Sequence, residues 1–170
     1  MARISIGIDN GVSGSCGIIT PHAYYFYLMP TKSEQSYTKA KNNITRIRVE
    51  ALLDLFDAHD VRNDNSMVMI ERPMVNPKRF KASVSAIRAF EAVLIAVEMR
   101  GLPHSYLDSK EWQRVLLPKG CKGPELKTAS IDIGGRLFPD YKNMFEKHKD
   151  ADGMLIAEHC RRKFQSPEPF

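Results

Sequence analysis

Ile4-Ser5-Ile6-Gly7-Ile8-Asp9-Asn10-Gly11 is the stretch on which the reading of this chain turns. Isoleucine alternates with small residues, the period of a β-strand, and the run ends on a carboxylate. Ser66-Met67-Val68-Met69-Ile70-Glu71 repeats the arrangement, a second β-like run closed by an acid. A third acidic element, Asp150-Ala151-Asp152, opens a helix-like segment near the C-terminus. Three acids far apart in sequence, each at the end of an element, are what a divalent-metal site needs.

One aspartate at a strand end is more often a turn former than a ligand, so the joint pattern carries the argument. If the two strands are neighbours, Asp9 and Glu71 meet, and the first turn of the last helix brings Asp152 across. Such hard oxygen donors suit Mg²⁺, with Mn²⁺ as a substitute, rather than zinc. Two ions roughly 4 Å apart suit in-line displacement at a phosphodiester, with no serine, histidine or cysteine nucleophile. Residues two apart on a helix point about 200° apart, so Asp150 and Asp152 cannot both face a metal from within one. Asp152 reads as the ligand. Asp150 is either its N-cap or a residue before the helix that bends back as a fourth ligand. His148 and Lys149 share that face if the helix begins earlier.

The 170 residues fit one domain with a real core. Hydrophobic residues make up 43% and charged residues 26%, ordinary for a globular protein. No apolar run approaches the roughly 20 residues of a membrane span, and no signal-peptide pattern precedes the first strand. A cytoplasmic protein without a membrane partner is expected. Cys16, Cys121 and Cys160 are odd in number and widely spaced, so neither a disulfide framework nor a zinc knuckle is indicated. Cys16 falls in a buried strand. The formal net charge is +5. Basic residues crowd the acidic motifs: Arg72, Lys78, Arg79 and Lys81 follow Glu71, and Lys142, Lys147 and Lys149 precede Asp150. Cations around a metal site suit a phosphodiester substrate.

The patterning predicts strands over 2–9, 15–20 and 23–29, joined by short turns as an antiparallel meander. Residues 31–43 are lysine-rich and read as a mobile loop. A helix is predicted over 44–59, a strand over 66–71, and a long helix over 79–100 with Phe80, Val84, Ile87, Phe90, Leu94 and Val97 on one stripe. Pro73 and Pro77 keep the segment after Glu71 from being helical. The excess apolar surface of the long helix fits a second contact such as a dimer interface, or a central helix buried within a monomer. A short strand at 104–107 precedes a helix carrying Trp112, capped by Asp108 or Ser109. A basic, glycine-rich loop follows at 118–124. Helices over 125–138 and 151–164 flank a polar stretch, and the tail from 165 to 170 reads as frayed. The sum is α/β, a five-stranded mixed sheet with helices on both faces.

These motifs together resemble the RuvC family of Holliday-junction resolvases, within the RNase H-like nuclease superfamily, over nearly the whole chain. Ile6-Gly7-Ile8-Asp9-Asn10-Gly11 resembles the family's first motif, Ile70-Glu71-Arg72-Pro73 its second, and the helix from Asp150 through Cys160 its last. Lys127 is similar in placement to a lysine that supports the scissile phosphate. Asn10 stands where the family often has proline, and Lys149 where it often has an acid or histidine. Small size and divergent loops suit a bacteriophage member. The resemblance implies a single RNase H-like domain that acts as a homodimer through the 79–100 helix and cuts opposed strands of a four-way junction. It implies catalysis by Asp9, Glu71, Asp152, Asp150 and Lys127, with Mg²⁺ held by the four acids. It also implies phosphate contacts by Arg72, Lys78, Arg79, Lys81, Lys119 and Lys122, each of which is otherwise a solvated surface charge. Met74 is either a wedge between bases at the crossover or plain core.

Other readings share parts of the pattern. A flap endonuclease or a ribonuclease acting on RNA–DNA hybrids would use the same chemistry. The segment Gly7–Ser15 also looks like the phosphate loop of actin-like kinases, but those pair two lobes and this length supplies one. A non-catalytic DNA-binding module would have no need of Asp9, Glu71 and Asp152.

Overall fold

The computed structural model describes residues 3–165. Position 2 of the first expected strand and positions 166–170 of the tail lie outside the described residues. Among the described residues the chain runs β1 (Ile4–Asp9), β2 (Ser15–Ile19), β3 (Tyr24–Leu28), β4 (Thr31–Gln35), β5 (Asn43–Ile47), α1 (Val49–Ala58), β6 (Ser66–Glu71), α2 (Phe80–Met99), β7 (His104–Leu107), α3 (Ser109–Leu116), α4 (Pro124–Leu137), α5 (Lys142–His148) and α6 (Asp152–Gln165). Five strands form one mixed sheet in the order β3-β2-β1-β6-β7. The first three are the expected antiparallel meander, while β6 runs parallel to β1, and β7 parallel to β6. With helices on both faces, this is the RNase H-like arrangement that the resemblance implies.

The sheet separates two apolar clusters, and strand periodicity assigns residues to each. Ile4, Ile6 and Ile8 of β1 and Val68 and Ile70 of β6 pack against α1 and α2, around Leu52, Phe56, Val93 and Val97. Met67 and Met69 of β6 face the other way, toward Trp112 of α3, Phe145 of α5 and Met154 to Ala157 of α6. Each fully buried aliphatic side chain contributes about 1.5–3 kcal/mol relative to exposure, so a register slip that inverted a strand would cost many such contributions. The same parity puts Ser5, Gly7 and Asp9, and likewise Glu71, on the side of α3 and α6.

Helix α6 lies unusually close to the sheet. A Cβ on Gly7 would sit 2.1 Å from the Ala157 backbone nitrogen, and one on Gly17 would sit 2.6 Å from the Gly153 carbonyl. A Cβ on Gly153 would meet Ser15 at 2.6 Å. Three positions without side chains let the helix backbone rest on β1 and β2, and that contact carries the start of α6 over the end of β1.

Four expectations are corrected. Residues 31–43 are not wholly a loop: β4 pairs antiparallel with β5, from Thr31 opposite Ile47 to Gln35 opposite Asn43. The helix expected over 44–59 accordingly begins at Val49, because Ile44 and Ile47, which match a helical period, belong to β5. The polar stretch before α6 contains a 3₁₀ turn, Pro139–Tyr141, and α5, anchored by the buried Phe145. The buried face of α2 also differs from the stripe of large residues. It carries Ser83, Ala89, Val93, Ala96 and Val97, while Phe80, Ile87, Ile95 and Met99 are exposed. Small residues make up most of the buried face of α2 and several of its larger apolar residues turn outward, so α2 is not a helix wholly buried within one chain.

Candidate metal centre

Parallel pairing of β1 with β6 sets Ile8 opposite Ile70, which brings the next residues, Asp9 and Glu71, to adjacent strand ends. Asp150 and Ala151 precede α6, and Asp152 is its first residue. Carboxylate oxygens of Asp9, Asp150 and Asp152 all lie within 4.8 Å of one another. Both Asp150 and Asp152 are buried.

The first turn of α6 is fixed by side chains from distant elements. Ser130 Oγ of α4 accepts from the Ala151 amide at 2.9 Å and donates to Asp152 Oδ1 at 2.5 Å. Ser15 Oγ of β2 accepts from the Gly153 amide at 3.1 Å. Asp150 Oδ1 accepts from the Asp152 amide at 3.2 Å. These contacts satisfy amides that a helix start leaves unpaired, and the helix dipole favours the Asp152 anion there. Asp150 therefore does both things considered for it: it caps the helix start, and from outside the helix its carboxylate reaches the cluster.

Lys127 of α4 binds both acids, with Nζ 2.8 Å from Asp150 Oδ2 and 2.8 Å from Asp152 Oδ2. Burial works against its charge, but Asp152 and Asp150 outweigh that and hold its pKa above the usual lysine range. About half of its side chain remains exposed to solvent.

Glu71 lies outside the tight trio. Its Oε1 accepts from Ser109 Oγ and its Oε2 from Trp112 Nε1, both at 2.8 Å. These donors sit one turn apart on α3. Asp108 and Glu111 form the capping box at the start of that helix, which leaves Ser109 free to hold the glutamate.

Electrostatics make the centre a poor resting place for bare carboxylates. Burial, then Asp152, Glu71 and Asp150, push the Asp9 pKa well above the aspartate range, and Lys127 offsets only part of this. Asp152 is raised by burial and by Asp150, and Glu71 chiefly by burial. Clustered hard oxygens whose charges oppose one another are a donor set suited to a divalent cation, so the residues present fit a metal.

Of the other predicted residues, His148 reaches these acids. His148 Nε2 lies 3.5 Å from Asp150 Oδ1, and its ring packs edge-on against Phe26. Lys149, with φ of 74°, ends α5 and is exposed. Asn10 donates from Nδ2 to the Ala86 carbonyl at 3.2 Å, tying the end of β1 to α2. Arg72 pairs with Asp108 at 3.1 Å. Lys78, Arg79, Lys81, Lys119 and Lys122 are exposed. Met74 is 82% exposed, which removes it from the core. Ser15, Ser109, Trp112 and Ser130 are the side chains that sequence reasoning did not connect to the acids. A usable signal existed for Ser130, which lies one helical turn after Lys127.

No protein-family model matches the sequence, and no curated protein matches it. Solved structures do match the fold. RuvC of Thermus thermophilus in complex with a Holliday junction substrate aligns with a TM-score of 0.57 at 12% identity, covering 96% of this chain and 96% of that one. A second T. thermophilus RuvC structure aligns with a TM-score of 0.45 at 14% identity over 99% and 100% of the chains. The chain thus has an RNase H-like α/β fold with a three-carboxylate cluster capable of coordinating a divalent metal. Within that class its fold is similar to RuvC. Among the described residues, no helix is long and apolar enough to cross a membrane.

Proposed function

We propose that this chain is a metal-dependent endodeoxyribonuclease that recognises branched DNA and, as a homodimer, resolves four-way junctions by paired cuts with 5′-phosphate and 3′-hydroxyl ends. The observation that carries this reading is the Asp9, Asp150 and Asp152 cluster set on an RNase H-like fold. Asp9, Asp152 and Asp150 would hold Mg²⁺, with Glu71 completing the set. When bound, one or two such ions supply Lewis-acid activation of water and charge neutralisation at the phosphodiester.

The chain's own groups do the positioning. Ser109 and Trp112 hold the Glu71 carboxylate in one orientation. Ser130 and Lys127 do the same for Asp152. About half of the Lys127 side chain is exposed, so its ammonium would be within reach of a phosphate oxygen at the acids. Arg72, Lys78, Arg79, Lys81, Lys119 and Lys122 would bind backbone phosphates, giving salt-sensitive affinity. The exposed Met74 fits an apolar wedge at an unstacked base step. The outward residues of α2, Phe80, Ile87, Ile95 and Met99, would meet their counterparts in a second copy. Such an assembly would work in the cytoplasm of a bacterium or a phage host.

The test is incubation of the purified protein with labelled four-way junction, flap, linear duplex and RNA–DNA hybrid, in Mg²⁺ or EDTA. Paired symmetric nicks in the junction, lost in EDTA and in Asp9→Asn, support the proposal. Preferential cutting of flap or hybrid would replace it with another nuclease of this fold. Nucleotide turnover without nuclease activity would favour the kinase-like reading.

A further inference from the structure

The helices that hold the acids also line a concave feature, of which the reading above uses only Lys119 and Lys122. Its volume is about 670 Å³, within the roughly 300–1,000 Å³ of built ligand sites. Lys110 and Arg114 of α3 and Lys119 and Lys122 of the following loop line it, and Leu117 and Leu126 supply apolar wall. Among the described residues, no acidic side chain lines it. Three other cavities, of about 370, 380 and 280 Å³, each have an acid in their walls. None of the four cations is ion-paired among the described residues. The nearby Glu125 carboxylate accepts instead from the Lys122 amide at 3.1 Å. Unneutralised cations around a partly apolar concavity suit an anion that also carries an apolar group.

The cavity is built from the two helices that organise the metal centre. On α3, Ser109 and Trp112 hold Glu71, while Lys110 and Arg114 line the cavity. On α4, Lys127 holds the aspartates, and its neighbour Leu126 lines the cavity. The same two helices thus carry the residues that hold the acids and part of the cavity lining. The volume exceeds what a phosphate ion fills, yet a concavity of this size does not admit a duplex.

We propose that this cavity is a subsite for an unpaired DNA strand, its phosphates on Lys110, Arg114, Lys119 and Lys122 and a base against Leu117 and Leu126. The proposal rests on the DNA nuclease reading and deepens it by naming the substrate as DNA with an unpaired strand next to the cut.

Cys121 lines the cavity and is partly exposed. Cys16 and Cys160 are buried, and burial pushes their thiols up to about 12 and about 11, so a thiol reagent reports on Cys121. The experiment measures alkylation of Cys121 by N-ethylmaleimide in EDTA, with and without a thymidine tetranucleotide. The expected result is at least fivefold slower alkylation. Affinity should fall with salt at a slope near −2 for three phosphate contacts, about 0.7 for each on a single strand. Lys110→Gln with Arg114→Gln weakens binding at least fivefold, and Lys39→Gln with Lys41→Gln, which removes equal charge elsewhere, does not. Absent protection, equal protection by inorganic phosphate, or equal weakening by both double variants would overturn the subsite. Junction cutting is measured in parallel. Cutting without protection refutes the subsite alone, and protection without cutting of any DNA supports the subsite and refutes the nuclease reading.

Discussion

Asp9 carries the largest electrostatic penalty of the acids at the centre, and the sign of that penalty makes a prediction. Its carboxyl holds a proton in the folded chain at pH values where the unfolded chain, with an aspartate pKa near 3.9, has lost it. The native state then binds more protons, so metal-free stability falls as pH rises above about 4 through the raised pKa of Asp9. Asp9→Asn is expected to raise the melting temperature in EDTA, flatten this pH dependence and remove stabilisation by Mg²⁺. Melting curves at several pH values, with and without Mg²⁺, check it. Junction cleavage by the same variant should fall by more than the 10–100-fold typical of losing a partner behind a ligand. Trp112→Phe tests such a partner. It keeps the apolar bulk but strips a donor from Glu71, which should cost about 1–3 kcal/mol in urea unfolding. Activity should drop about 10–100-fold, with the Mg²⁺ requirement shifted upward. The acids were legible in sequence because each ends an apolar run or opens a helix. Ser109 and Trp112 were not, because they reach Glu71 across 38 and 41 residues and neither carries a periodic or charge signal of its own.

At the scale of elements, the approach of α6 to the sheet decides whether the centre assembles. Gly7→Ala would drive a methyl into the α6 backbone, where nothing can rotate away. It should destabilise the fold by about 3 kcal/mol or more. Gly135→Ala is the contrasting case. Its new methyl meets only the flexible Lys142 stem at 3.2 Å, and helix propensity in α4 favours alanine by up to about 1 kcal/mol. Urea midpoints of the two variants should move in opposite directions or leave Gly135→Ala unchanged. The strands of the main sheet were readable because burial imposes alternation on them. The β4–β5 ribbon was not, since Thr31-Lys32-Ser33-Glu34-Gln35 is wet on both faces and shows no apolar period. The outward turn of α2 was hidden for the opposite reason: alanines do the packing, and the eye follows the larger residues.

For the whole molecule, the apolar outer face of α2 and the acids lie on opposite sides of the sheet. Ile87 is 47% exposed on that face. In the proposed homodimer, Ile87→Asp is expected to break the contact and yield a monomer by analytical ultracentrifugation while the melting temperature changes little. On a junction it should nick single strands without the paired cut. Both ends of this arrangement trace to β1, where Ile4, Ile6 and Ile8 feed the α2 side and Asp9 the other. The strand thus behaves as a reading frame. A slip of one residue would push isoleucines into the glycine contact beneath α6 and a carboxylate into the oil beneath α2. A frame-shifted molecule would lose both faces of β1 at once, so the register that buries the isoleucines is the same one that delivers Asp9 to the acids.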